Sequence, residues 1–269
     1  MCIRDRMNAI LNGQLVAHDH LRLDINDRSF LYGDGLFETM HLNGQIRLVD
    51  YHLDRLKKGC SVLGMDFPQE LTSSKLEEWA AHITTGHNSI NGFRLKLIVW
   101  RMAGGLYTPT QTNSNFMLTA REISANMDMV REHVFVSELV FNQASVYSEF
   151  KTLSSLKYFI AGKEMKEKGG DDILIIDSNG NVSEGLYSNI FWRKGRMYFT
   201  PALSTGCISG TMRREVMSRL QVDEGTYKIA HLLDADQAFF TNSLGIFPIS
   251  RIQEHYFQEA GIPKPLLQL

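Results

Sequence analysis

The chain has 269 residues, of which 43% are hydrophobic and 22% charged, with a formal net charge of -2. Such a length and composition suit a globular protein of two lobes, and the charge offers no attraction for nucleic acid or an anionic membrane, so small molecules are the expected partners. Cys2, Cys60 and Cys207 make neither a disulfide framework nor a metal-ligand spacing, which fits a reducing cytoplasm, and no apolar run has the length of a membrane span or signal region.

Residues 1–6, Met1-Cys2-Ile3-Arg4-Asp5-Arg6, read as a translated adapter joined to a start at Met7. The first lobe is expected over 7–123. Ala9-Ile10-Leu11 and Gln14-Leu15-Val16 flank Asn12-Gly13, a pair suited to the positive backbone dihedrals of a tight hairpin. His18-Asp19-His20 reads as strand-end surface rather than a metal site, because neighbours on a strand point to opposite faces. Gly33-Asp34-Gly35 precedes an alternating strand and implies close backbone approach. With no third glycine and no following helix, it is not a dinucleotide fingerprint. A second hairpin at Asn43-Gly44 leads to Asp50, the expected cap of a helix over residues 51–56 that carries Arg55. An arginine on such a helix is ordinarily solvated.

Residues 71–85 form a further amphipathic helix with Trp79 as its core anchor. Phe93 to Arg101 reads as a strand whose Arg94 and Lys96, two apart, share a face where they either hold a substrate carboxylate or stand in solvent. A loop over 102–115, with Leu106, Tyr107 and Pro109, leads to a strand at Phe116 to Ala120. Residues 124–129 connect to the second lobe, expected over 130–269.

In that lobe Lys151 precedes Ser154-Ser155, which can cap a helix running to about Lys168 before Gly169-Gly170. Leu156, Ile160 and Met165 form its apolar side. Asp172 to Asp177 has strand length, Asn179-Gly180 turns the chain, and the returning strand carries Glu184, so a lysine and a carboxylate can face one pocket. Glu184 can equally be a surface residue or half of a hairpin salt bridge. After the Arg193-Lys194-Gly195 turn comes a strand at Met197 to Thr200, stopped by Pro201. Ser204 to Arg213 leads into a helix reaching about Leu220, and the amides at such a helix start can point at an anion.

Several separated motifs resemble one family. Lys151 with its helix ending in Gly-Gly, Val182-Ser183-Glu184-Gly185 and Ser188-Asn189-Ile190-Phe191 are similar to the class IV aminotransferases. So are Gly33-Asp34-Gly35-Leu36-Phe37-Glu38-Thr39, His52-Leu53-Asp54-Arg55-Leu56, Ser209-Gly210-Thr211-Met212-Arg213 and Phe239 to Gly245. The group includes branched-chain aminotransferases, D-amino-acid aminotransferases and aminodeoxychorismate lyase. The resemblance runs from about Met7 to about Ile249. It implies an α+β, two-lobed, fold type IV enzyme with a smaller N-terminal α/β lobe and a larger C-terminal lobe holding a mainly antiparallel, barrel-like sheet.

It also implies pyridoxal 5'-phosphate as cofactor, an amino acid and a 2-oxo acid as substrates, and a homodimer. Lys151 would hold the cofactor covalently and move the substrate proton. Glu184 would pair with the pyridine nitrogen. Arg55, Gly210, Thr211 and Met212 would surround the phosphate, Asn242 and Ser243 would reach phosphate or substrate, and Tyr32, Phe37, Thr39, Lys96 and Tyr107 would contact substrate. Lys157 is a rival for Lys151 but lies within the expected helix. The lyases carry an arginine before the tyrosine of the 102–115 loop where this chain has Leu106, so amino transfer is the first expectation. Formation of 4-aminobenzoate and pyruvate from 4-amino-4-deoxychorismate is the alternative, and a non-catalytic cofactor binder is a further one.

Overall fold

The structure, a computed structural model, describes residues 8–123 and 130–268; the expected leader 1–6 and connector 124–129 lie outside the described residues. The described residues form two compact units. One runs through residue 123 and takes in Phe150–Ser154; the other comprises 130–149 and the chain from Ser155 onward.

The first unit is built on a six-stranded sheet. Its strands are β1 (Ala9–Leu11), β2 (Gln14–Val16), β3 (Gly35–Asn43), β4 (Gln45–Ile46), β5 (Phe93–Arg101) and β6 (Ser114–Glu122), in the order β2-β1-β6-β5-β3-β4. Every pairing is antiparallel. Asn12 (φ 47°) and Gly13 (φ 79°) close the first hairpin as their residue types dictate. Leu36, Met40 and Leu42 of β3 and Leu95, Leu97 and Val99 of β5 form the core with α2 (Val49–Val62) and α3 (Ser73–Thr84), in which Trp79 is buried. The opposite face carries Phe37 and Thr39 of β3 and Arg94 and Lys96 of β5, with Thr39 opposite Lys96.

Three local expectations change. Arg28–Tyr32 form a short helix, α1, that hydrophobic periodicity cannot reveal in so few residues; Gly33 (φ 64°) ends it in the left-handed conformation. His18–His20 are a 3-10 turn rather than a strand end, and they remain exposed. Asp50 is not the cap of α2, because Leu48 (φ 53°) starts the helix; Asp50 lies in its first turn and accepts a bond of 2.6 Å from Ser73 Oγ.

The second unit contains two five-stranded sheets, β12-β11-β10-β13-β14 and β16-β15-β7-β8-β9. The first comprises β10 (Asn189–Lys194), β11 (Met197–Pro201), β12 (Val222–Gly225), β13 (Gln237–Asn242) and β14 (Gly245–Ile249). The second comprises β7 (Val134–Asn142), β8 (Asp172–Asp177), β9 (Val182–Gly185), β15 (Arg251–Ile252) and β16 (His255–Tyr256). Antiparallel pairs predominate; β11/β12, β7/β8 and β7/β15 are parallel. Trp192, Phe240, Phe247 and Ile249 centre the core. The helices are α4 (Leu156–Glu167), α5 (Thr211–Arg219) and α6 (Ile229–Leu233). On α4 the expected apolar side is not the buried one: Leu156 is 69% exposed, and Ala161 and Glu164 face inward. Glu164 accepts from Ser137 Oγ (2.7 Å) and the amide of Glu138 (2.9 Å), answering donors where the β7/β8 register shifts. Pattern-reading misses this because the inward residue is a carboxylate.

Asp172 of β8 is buried, and its Oδ1 accepts from the amides of Ile173 (2.8 Å) and Leu186 (3.1 Å). Burial pushes its pKa up to about 6 from 3.8. The stability linked to its protonated form is therefore fully present below about pH 4 and lost as pH rises through about 6. Relative to wild type, Asp172→Asn should gain about 2–3 kcal/mol on going from pH 4 to pH 7. Urea unfolding at the two pH values measures this; parallel changes in both proteins would contradict it.

No helix among the described residues is long and apolar enough to cross a membrane.

Candidate active site

Alternation along β3 places Glu38 on the same side as Leu36 and Met40, beneath α2, where residues three and four apart share a helix face. A lone carboxylate there would be costly. It is instead answered by His52 Nδ1 at 2.6 Å and by Arg55 through Nε (2.8 Å) and Nη2 (2.5 Å). Burial works against the charge, yet Arg55 and His52 hold Glu38's pKa down to about 2. Burial pushes His52 below its ordinary value while Glu38 acts against that shift, and its Nδ1 faces the carboxylate at hydrogen-bond distance. Arg55 is thus buried and paired rather than solvated.

Lys151 belongs with this unit. The sequence-based division assigns it to the second lobe, but the amide of Phe37 donates to its carbonyl at 2.8 Å and the amide of Leu153 donates to the carbonyl of Gly35 at 3.0 Å. The segment is thereby laid along β3. Any Cβ at Gly35 would stand 2.6 Å from the Val99 carbonyl oxygen, so this strand position needs glycine. Two ammonium groups flank the Phe37 ring: Lys151 Nζ at 4.7 Å and Lys96 Nζ at 4.9 Å from its centroid. Burial, then Arg94 and Arg121, lower the pKa of Lys96. Phe37, Thr39 and Lys96 are therefore neighbours on one cationic face.

Tyr32 and Tyr107 meet each other, with ring centroids 5.7 Å apart. Their loop is held from beneath. Buried Arg28 donates to the carbonyls of Gly104 (3.1 Å), Gly105 (3.0 Å) and Leu106 (2.6 Å). Asp34 Oδ2 receives Nε of Arg28 (2.7 Å) and of Arg101 (2.9 Å). The aspartate between the two glycines is thus a brace for the loop, and Tyr107 at its tip is exposed.

In the second unit Glu184 on β9 is buried, and its carboxylate is answered on both oxygens. Oε1 accepts from Asn142 Nδ2 (2.9 Å) and Tyr158 Oη (2.8 Å), and Oε2 from the amide of Ile208 (2.9 Å). Lys157 Nζ lies 3.8 Å from Oε1 and donates to Asn142 Oδ1 at 2.7 Å. Lys157, the rival of Lys151, is thus engaged beside Glu184. Burial, then the charge of Glu184, raise the Tyr158 pKa, keeping the phenol a donor.

The Ile208 segment continues into Gly210, the N-cap of α5; Thr211 and Met212 form the first turn and are buried. Asn189 Nδ2 donates to the Ile208 carbonyl at 2.7 Å, and its Oδ1 would lie 1.9 Å from a Cβ at position 210. Glycine is required there by a protein neighbour. Asn242 and Ser243 occupy the β13–β14 turn, with Asn242 Oδ1 accepting from the Leu244 amide at 2.9 Å.

Each unit carries group types that suit pyridoxal phosphate: the first a lysine amine and a buried arginine, the second a multiply braced carboxylate and a helix N-terminus. Ser188 Oγ and Thr241 Oγ1 are buried with no protein partner, so polar capacity remains in the second unit. Sequence reasoning missed Glu38, His52, Tyr158 and Asn142. A signal existed for the first pair: one carboxylate in an apolar stripe of β3, and a histidine and arginine three apart on the next helix.

The family model described as amino-transferase class IV matches residues 35–252. An aminodeoxychorismate lyase of Bacillus subtilis (strain 168) is 29% identical, over 96% of this chain and 92% of its own. A D-alanine aminotransferase of Bacillus licheniformis is 24% identical, over 97% and 93%. The crystal structure of 4-amino-4-deoxychorismate lyase from Pseudomonas aeruginosa superposes with a TM-score of 0.81 at 26% identity, covering 94% of each chain.

Proposed function

This chain belongs to the class IV aminotransferase family, whose enzymes use pyridoxal phosphate, and we propose that it removes the proton from the amino-bearing carbon of a small carboxylated amine. We assign the outcome as elimination, giving 4-aminobenzoate and pyruvate from 4-amino-4-deoxychorismate. The observation that carries the choice of elimination is likeness along nearly the whole chain to two lyases, at 29% and 26% identity. The basic face of β3 and β5 supports it, because Lys96 and Arg94 suit a substrate with more than one carboxylate.

When bound, the cofactor supplies an electron sink and a covalent hold on the amino group. Lys151 is the residue that links to it and then carries the substrate proton at Nζ. Glu184 keeps an acceptor lone pair for the protonated ring nitrogen beyond the bonds from Tyr158, Asn142 and Ile208. Arg55 and the turns at Gly210, Thr211, Met212, Asn242 and Ser243 hold the phosphate. Lys96 takes a substrate carboxylate, Phe37 and Thr39 pack beside it, and Tyr32 and Tyr107 contact substrate as well. The working form is a cytoplasmic homodimer.

Amino transfer from an amino acid to a 2-oxo acid is the second reading, favoured by Leu106 in place of the lyases' arginine. That position has limited weight, since the Leu106 side chain is 72% exposed and only its carbonyl is fixed. The test is to incubate purified, cofactor-loaded protein with 4-amino-4-deoxychorismate and to measure 4-aminobenzoate by chromatography. Parallel assays pair L- or D-amino acids with a 2-oxo acid. Formation of 4-aminobenzoate is expected; conversion of amino acids alone would make amino transfer the function, and no turnover would leave a non-catalytic binder.

A further inference from the structure

We propose that Glu38 is a positioning residue for phosphate binding: its carboxylate, itself clamped by His52, fixes the guanidinium of Arg55 in the orientation that receives the cofactor's phosphate. The inference rests on the reading of Arg55 given above and goes beyond it to residues with no assigned part.

Glu38 is 1% exposed and sits in the apolar stripe of β3, a position where a structural role alone is served as well by a hydrocarbon side chain. What the carboxylate adds is direction. Its two oxygens take Nε and Nη2 of Arg55 in a fork, which sets the plane of the guanidinium as well as its place. His52 grips the oxygen shared with Nη2, so the carboxylate cannot rotate to release the fork. The backbones fix the same arrangement, with Glu38 on β3 opposite Leu97 and His52 and Arg55 three apart on α2.

A competing effect has the opposite sign. The negative charge of Glu38 reduces the attraction of Arg55 for a dianion, so removing that charge would by itself strengthen phosphate binding. Orientation outweighs charge here because a guanidinium released from its carboxylate loses both its fixed plane and its buried partner. Loss of a partner that orients a metal ligand costs about 10–100-fold in metal affinity, and the same scale is expected for a guanidinium that orients on a phosphate.

The sign of the effect is measurable with two probes that differ only by phosphate. Wild-type apoprotein and Glu38→Gln are each titrated with pyridoxal phosphate and with pyridoxal, following the visible absorbance of the lysine-bound ring. Circular dichroism checks that each variant is folded. Glu38→Gln is expected to weaken pyridoxal phosphate binding about 10–100-fold while leaving pyridoxal within about twofold. Equal weakening of both ligands would reduce Glu38 to a structural residue, and unchanged or tighter phosphate-dependent binding would overturn the proposal. His52→Gln, which keeps the Glu38–Arg55 pair and removes the clamp, should show a smaller loss confined to the phosphate ligand; it decides the matter if Glu38→Gln does not fold, and no such loss would overturn the proposal. A wild-type protein with no preference for pyridoxal phosphate over pyridoxal would instead overturn the role of Arg55, and with it the inference.

Discussion

Lys151→Ala is expected to abolish covalent capture of pyridoxal phosphate and to lower turnover by at least about 10⁴-fold, because in the proposed mechanism one amine both holds the cofactor and moves the proton. The fold should survive. The segment is held by its backbone, through the Phe37 amide to the Lys151 carbonyl (2.8 Å) and the bridge between Leu36 and Thr152, neither of which needs the side chain. Unfolding free energy should therefore change by less than about 1 kcal/mol. Lys157→Met is the informative partner. Lys157 Nζ is engaged with Asn142 (2.7 Å) and Glu184 (3.8 Å), so its loss should leave cofactor capture intact. Visible spectra and single-turnover rates of the two variants measure the difference. Wild-type capture by Lys151→Ala would move the role to another lysine.

The second large effect is expected at Glu184. Glu184→Gln keeps the volume but replaces one acceptor oxygen by a donor, facing either Ile208 N or the Asn142 and Tyr158 donors. It also removes the charge proposed to stabilise a protonated ring nitrogen. Turnover should fall by about 10²–10³-fold, the usual scale for losing one preorganised electrostatic group. Glu184→Ala should in addition cost about 3–5 kcal/mol of stability, since each buried donor left unanswered costs about 1–3 kcal/mol. Steady-state rates and urea unfolding separate the two effects. A fully active, fully stable Glu184→Ala protein would remove Glu184 from both roles.

Much of the first unit was legible because short-range rules decide it. Asn-Gly pairs set the hairpins at Asn12-Gly13 and Asn43-Gly44, and period-two alternation marks β5 over Phe93–Arg101. The class IV motifs named the candidate residues in both units. Less visible was everything decided by long-range pairing. Nothing local to Lys151 shows that its backbone joins β3, over a hundred residues earlier. Nothing near Glu184 announces Tyr158, Asn142 or the Ile208 amide, which reach it from an adjacent helix, a strand and a distant loop. The burial of Glu38 and Glu164 is invisible to hydrophobic patterning for one reason: inward positions are ordinarily apolar, and both are carboxylates whose burial is made tolerable by donors from other elements.

The most direct test is to load purified protein with pyridoxal phosphate, reduce it with borohydride, digest it and locate the modified residue by peptide mass spectrometry. The phosphopyridoxyl group is expected on the peptide bearing Lys151, with fragment ions assigning it to that residue. Modification of Lys157, or of no lysine at all, would contradict it.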